Sequence, residues 1–147
     1  MKDKLTKHFS FSELTHTDVK ELQEENTDQA RNYLSKIKEL AEFAEQVREI
    51  IGCPMIVTSA FRCEKLNAKL GGSPTSQHRF GEAIDFIPKD MSAFSAFTKI
   101  IISNIEYGQL ILCKRGISHF IHISVGKKHQ CMYSEKIGSY RDLFPKK

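Results

Sequence analysis

The sequence has no tryptophan, only four prolines, and no Cys-x-x-C pair among its four cysteines. The missing Cys-x-x-C removes the usual signal of a cysteine-built structural zinc site. No run approaches the roughly eighteen apolar residues that a membrane-spanning helix needs, so no span is expected. Excess charge is also scarce: 22 basic residues against 18 acidic ones leave +4. So mild a surplus suits an anionic polymer, whether nucleic acid or wall material, without marking either. The stretch from Lys127 is the most basic, yet it lacks an arginine-rich run or a stacking aromatic pattern, and no nucleic-acid partner is expected. Met1-Lys2-Asp3-Lys4-Leu5 is charged and holds no apolar signal core, which predicts cytoplasmic synthesis without a signal peptide. In that compartment the cysteines at 53, 63, 113 and 131 are expected as reduced thiols, with Cys53 and Cys113 in the core. A Cys53–Cys63 bridge stays open at this level.

What is present is a globular composition. Hydrophobic residues make up 40% and charged residues 27% of 147 residues, enough for one ordinary domain with its own core. No repeat or linker interrupts the chain, so a single domain over 1–147 is expected, monomeric, with a core at about 30–126 and a helical N-terminal extension over 1–29. Within the extension, Ser10 or Ser12 offers a helix cap, and Glu21 to Gln29 reads as a surface connection. From Gln29 to Ile51, Leu34, Ile37, Leu40, Ala41, Ala44, Val47, Ile50 and Ile51 recur at three- and four-residue steps, which predicts a long amphipathic helix stopped by Gly52 and Pro54. A buried strand is expected over Met55 to Phe61, a short helix over Glu64 to Leu70, and a second strand within Gly81 to Ile87. Met91 to Asn104 predicts a core helix with Phe94, Phe97, Ile100 and Ile101 on its inner side. Gln109 to Cys113 and Phe120 to Val125 flank a turn at Lys114-Arg115-Gly116, and His129 to Tyr133 reads as a short edge strand. Helices followed by strands give an α+β plan, with an antiparallel sheet of about four strands flanked by helices.

The histidines carry the chemistry. In Ser76-Gln77-His78-Arg79-Phe80-Gly81-Glu82-Ala83-Ile84-Asp85, a histidine and an aspartate lie seven residues apart with a glycine between. Asp85 falls inside the apolar run Ala83-Ile84-Asp85-Phe86-Ile87, where a carboxylate needs a partner and a cation is the natural one. Gly81 lets the chain turn so that His78 offers a neutral imidazole to the same cation. His122, between Ile121 and Ile123, supplies a third ligand. Two imidazoles and one carboxylate leave one tetrahedral zinc position open, the pattern of a catalytic site. Taken singly, each signal has a plainer reading: a His-x6-Asp pair arises by chance, and a strand histidine is ordinarily a core residue with one hydrogen bond. The whole string Ser-x-His-x-x-Gly-x-Ala-x-Asp, with Ser59-Ala60-Phe61-Arg62 upstream and His122-Ile123-Ser124 downstream, is far more specific.

That string resembles the zinc D-alanyl-D-alanine carboxypeptidase family, which shares its fold with the hedgehog signalling domain. Asn67-Ala68-Lys69-Leu70-Gly71-Gly72-Ser73 extends the likeness, which covers about two-thirds of the chain; the nearest in kind are small single-domain phage and prophage wall-lysing enzymes. The resemblance implies one zinc ion per chain held by His78, Asp85 and His122, and hydrolysis of peptide bonds in peptidoglycan stem peptides, by carboxypeptidase or endopeptidase action. It implies Arg62 over the site for a carboxylate or an oxyanion, Ser76 hydrogen-bonding substrate, and Gln109 supporting the site from a central strand. An acidic base three residues before the last ligand is usual in the family, often followed by Trp; here His119 and Phe120 stand there. His119 is open to three readings: a working base, a substrate contact, or the mark of a weakened enzyme. The rival to an enzyme is a zinc-binding structural or wall-binding module, such as a virion component. Either would act on the wall after release or export.

Overall fold

The long apolar period folds as expected, in a computed structural model that describes residues 3–144. Met1 and Lys2 of the charged N-terminal stretch lie outside them. The helices are α1 (Phe11–Thr15), α2 (Gln23–Ala30), α3 (Leu34–Ile51), α4 (Glu64–Lys69) and α5 (Ala93–Ser103). The strands are β1 (Met55–Ser59), β2 (Ala83–Pro88), β3 (Gln109–Arg115), β4 (Ser118–Ser124), β5 (Gln130–Lys136) and β6 (Ser139–Asp142). Among the described residues no helix is long and apolar enough to cross a membrane.

Ser10 supplies the first cap, its Oγ accepting from the Glu13 amide at 3.1 Å. In α3 the predicted stripe is buried at Ile37, Leu40, Ala41, Ala44, Val47 and Ile51, and Phe43 joins it. Leu34, at the outer end of the stripe, is 49% exposed. In α5, Phe97 and Ile100 turn inward, but Phe94 does not: it is 67% exposed. The segment Glu21 to Gln29 is not a surface connection. It forms a 3₁₀ turn and most of α2, and Asn26 in it is fully buried.

The architecture is α+β, and the sheet is larger than the four antiparallel strands the sequence suggests. Six strands run in the order β1-β2-β4-β3-β5-β6. All neighbours are antiparallel except β3 and β5, which are parallel, so the sheet is mixed. β5 is an interior strand because β6 pairs outside it. β1 is an edge and only half-buried, unlike the buried strand expected. Ile84, Phe86, Leu110, Leu112, Ile121 and Ile123 point to one face and share a core with α3, α5 and Leu14 of α1. The opposite face holds a smaller apolar cluster of Ile111, Cys113, Met132 and Phe120. All four cysteines are free and buried, so Cys53 and Cys63 are not bridged.

Candidate metal centre

β2 and β4 pair with Asp85 directly across from His122. Side chains alternate along a strand, and Ile84, Phe86, Ile121 and Ile123 already fill the helix-side core. Asp85 and His122 therefore leave the sheet on the face turned away from α3 and α5. His78 reaches them from a 3₁₀ turn, Gln77–Phe80, where Ser76 Oγ caps by accepting from the His78 amide at 3.2 Å. Gly81 ends that turn at φ 72°, in the left-handed region, with Ile37 Cγ1 3.0 Å from where a Cβ would stand. Only glycine takes that corner without strain, and the corner folds His78 back onto Asp85.

One ligand atom from each of His78, Asp85 and His122 lies within 4.8 Å of the other two. Asp85 Oδ1 is 3.2 Å from His78 Nε2 and 2.8 Å from His122 Nδ1. Hydrogen placement tests whether a metal fits. His78 Nδ1 stands 2.6 Å from the Ala60 carbonyl oxygen, which only accepts, so Nδ1 carries the hydrogen. The Nε2 of a neutral ring is then a bare lone pair facing a carboxylate oxygen. Two lone pairs at that distance repel unless a positive charge lies between them. A second proton on the ring is disfavoured, because burial drives His78 toward its neutral form against the pull of Asp85. A divalent cation removes the conflict, and two imidazole nitrogens with one carboxylate oxygen are donors that zinc accepts. The carbonyl that fixes the His78 tautomer is the kind of outer support metal-binding histidines use. Burial alone would raise the Asp85 carboxyl; its neighbours outweigh burial and hold it below the usual carboxylate range, with His122 Nδ1 at 2.8 Å and the Arg62 guanidinium at 3.5 Å on its oxygens. The outer nitrogen of the other ring, His122 Nε2, is buried with no partner among the described residues.

Arg62 borders the cluster, with Nη2 3.5 Å from Asp85 Oδ2 and a side chain 15% exposed. Burial lowers its pKa, opposed by the charges of Asp85 and Tyr140. Its placement is built from the backbone outward. A bulge between Val57 and Ser59 shifts the β1–β2 register at the end of the strand. Arg62 Nε donates to Ser59 Oγ at 3.0 Å, Nη1 reaches Asn67 Oδ1 at 3.5 Å, and the Arg62 amide donates to the His78 carbonyl at 2.9 Å. Asn67 is buried and also donates through Nδ2 to the Ser73 carbonyl at 2.8 Å. Gly72 lies so close that a Cβ there would strike the Asn67 amide. On the other flank, Asn26 Nδ2 donates to the Thr15 and Phe61 carbonyls, and Asn26 Oδ1 accepts from the Cys63 amide at 2.7 Å. A helix from the N-terminal segment thus clamps the backbone on both sides of Arg62.

The remaining expected residues are placed as follows. Ser76 sits beside the cluster as the cap of the His78 turn. Gln109 opens β3 on the cluster's face, but its side chain is tied to Gln130, Nε2 to Oε1 at 3.1 Å, and its amide donates to Ser124 Oγ at 2.8 Å. His119 is not brought to the cluster. The β3–β4 ladder is unbroken from Ser118 to Ile123, so His119 shares the face of Ile121 and Ile123 and lines a groove with Phe97 and Leu112. An odd spacing of three along a flat strand puts it behind the sheet from His122. Asn26, Asn67 and Ser59 were not legible as site supports. Ser59 precedes Arg62 by three residues and Asn67 follows it by five, but nothing in the sequence assigns either a contact.

A buried cluster of two histidines and one carboxylate, set on a sheet beside a half-buried arginine, is the kind of centre that metal-dependent hydrolases carry. A family model for Peptidase M15 matches residues 7–124, and the chain belongs to that family, the zinc D-Ala-D-Ala carboxypeptidase type of metallopeptidase. A search of curated proteins found no match.

Proposed function

We propose that this chain hydrolyses peptide bonds in peptidoglycan stem peptides with one zinc ion held by His78, Asp85 and His122. The observation that carries the reading is the bare Nε2 of His78 facing Asp85 Oδ1 at 3.2 Å in a buried site, with His122 on the same oxygen. When bound, zinc supplies a Lewis acid for the substrate carbonyl and a water acidified toward neutral pH. The protein's own groups do the rest. The Ala60 carbonyl holds the His78 ring in the tautomer that presents Nε2. Arg62, fixed by Ser59 and Asn67, offers a planar fork to the carboxylate of a stem peptide or to oxygen charge developing at the cleaved carbonyl. Ser76, whose Oγ caps the His78 turn, would offer a substrate hydrogen bond beside the metal. The stem-peptide substrate rests on family membership, and the mild net positive charge of +4 suits an anionic wall.

One observation favours the rival reading, a zinc-binding wall module of weak turnover. With His119 on the other face, no further carboxylate or imidazole among the described residues hydrogen-bonds to the three ligands. Incubating the zinc-loaded chain with purified stem peptides, with and without chelator, separates the two. Chelator-sensitive release of a peptide or of terminal D-alanine supports the enzyme and tells endopeptidase from carboxypeptidase action. One bound zinc with no cleavage of any stem peptide supports the module.

A further inference from the structure

β5 and β6 lie beyond residues 7–124 that the family model matches, and they extend the sheet on one side. On the helix side of the sheet, α5 packs on β2, β3 and β4, and the sheet continues past it to β5 and β6. The register sets Ile121, Leu112, Tyr133 and Arg141 in one row across β4, β3, β5 and β6. Between the outer half of that row and α5 runs a groove of about 560 Å³. Its floor is Leu112 and Tyr133, and its helix wall is Phe97 with Phe94, whose ring is 67% exposed. A volume of this size is typical of small-molecule sites, which are mainly apolar with few polar groups. Besides the Ser92 and Tyr133 hydroxyls, the polar groups here are a guanidinium and an imidazole. Arg141 and His119 line the groove, no carboxylate does, and Arg141 makes no ion pair or side-chain hydrogen bond among the described residues. A guanidinium fork left free at the edge of an apolar trough matches a carboxylate attached to an apolar body.

We infer that this groove is a second binding site, for a small amphipathic carboxylate whose apolar body lies against Phe94, Phe97 and Tyr133 and whose head group meets Arg141 and His119. The site stands on the opposite sheet face from His78, Asp85 and His122, so it fills without closing the metal centre. It does not depend on the proposed hydrolysis. The exposed Phe94 ring acquires a purpose that core packing does not give it.

The test is a titration of the full zinc-loaded chain with decanoate, followed by amide chemical shifts, with decanol as the uncharged control. Saturable shifts at Phe94, Tyr133 and Arg141 are expected, with decanol about tenfold weaker because it lacks the charge-assisted bond. Arg141→Glu is expected to weaken decanoate by about tenfold or more and to leave decanol unchanged. Phe94→Ala weakens both. Three results overturn the site: no saturable shift, equal binding of decanoate and decanol, or shifts centred on Arg62 and His122 in place of the groove. Arg141 and Phe94 are both exposed, so unchanged far-ultraviolet circular dichroism establishes that the variants are folded.

Discussion

On the helix side of the sheet, Ile84, Leu110 and Ile123 form a row, are fully buried and carry no polar atom in their side chains. One residue further along the same strands, the other face carries Asp85, Ile111 and His122 in a row. The two rows lie on the same three strands and differ by one residue, half the two-residue period of a strand. The first row stabilises the fold through apolar burial. The second buries a carboxylate and an imidazole, which cost free energy unless something satisfies them. His78 and Arg62 converge there on Asp85, and the proposed cation would offset the rest of that cost, which is the physical reason to read this face as the functional one.

The sharpest break of that comparison is at His122. His122→Ala is expected to abolish zinc retention and stem-peptide cleavage together while the protein stays folded, as metal analysis and circular dichroism would show. On the helix side, Leu110→Ala should do the reverse: about 2–5 kcal/mol of stability lost in denaturant unfolding, with zinc still bound. His119 tests the assignment of faces most narrowly. A proton-transfer group would cost about a hundredfold or more in rate when removed. Because His119 lies behind the sheet, His119→Ala is expected to leave kcat close to the parent value, and a hundredfold loss would return it to the site. Asn67→Ala is expected to keep zinc but lower kcat/KM by about tenfold, as outer supports of metal sites do. A matched Arg62→Ala would then show little additional effect from Asn67→Ala, since the asparagine acts through the arginine.

Acid should reveal the polar face in the metal-free protein. His78 is held neutral by burial, so its folded pKa lies below the ordinary value of 6.5. As pH falls through about 6.5 the unfolded chain takes up that proton first, and stability declines. Asp85 is shifted the same way, so its contribution is present above the ordinary 3.8 and is lost only in stronger acid. Stability in chelator, followed by thermal unfolding, is therefore expected to fall from pH 7 toward pH 5. The Asp85→Asn, His78→Gln double variant should flatten that slope.

Much of the fold was legible where a period was long. α3 follows its apolar spacing, α5 does so at Phe97 and Ile100 but not at Phe94, and Gly52 ends α3 in a left-handed cap. The meeting of His78, Asp85 and His122 was legible because a carboxylate inside Ala83-Ile84-Asp85-Phe86-Ile87 needs a partner. Other features depend on contacts made far along the chain. Asn26 looks like any polar surface residue, and only the Thr15, Phe61 and Cys63 backbone groups around it explain its burial. The parallel pairing of β3 with β5 requires β5 to pass outside the β3–β4 hairpin, which no local pattern announces. His119 is a different case. The alternation that sets Asp85 opposite His122 also sends the residue three before His122 to the other face, so counting by twos along β4 reveals its position.

The most direct measurement is zinc X-ray absorption on the chain loaded with one equivalent of metal. The account predicts one tightly held ion with two imidazole ligands and only oxygen in the remaining positions. A shell containing sulfur, or one without imidazole, would contradict it, as would a chain that retains no zinc on desalting.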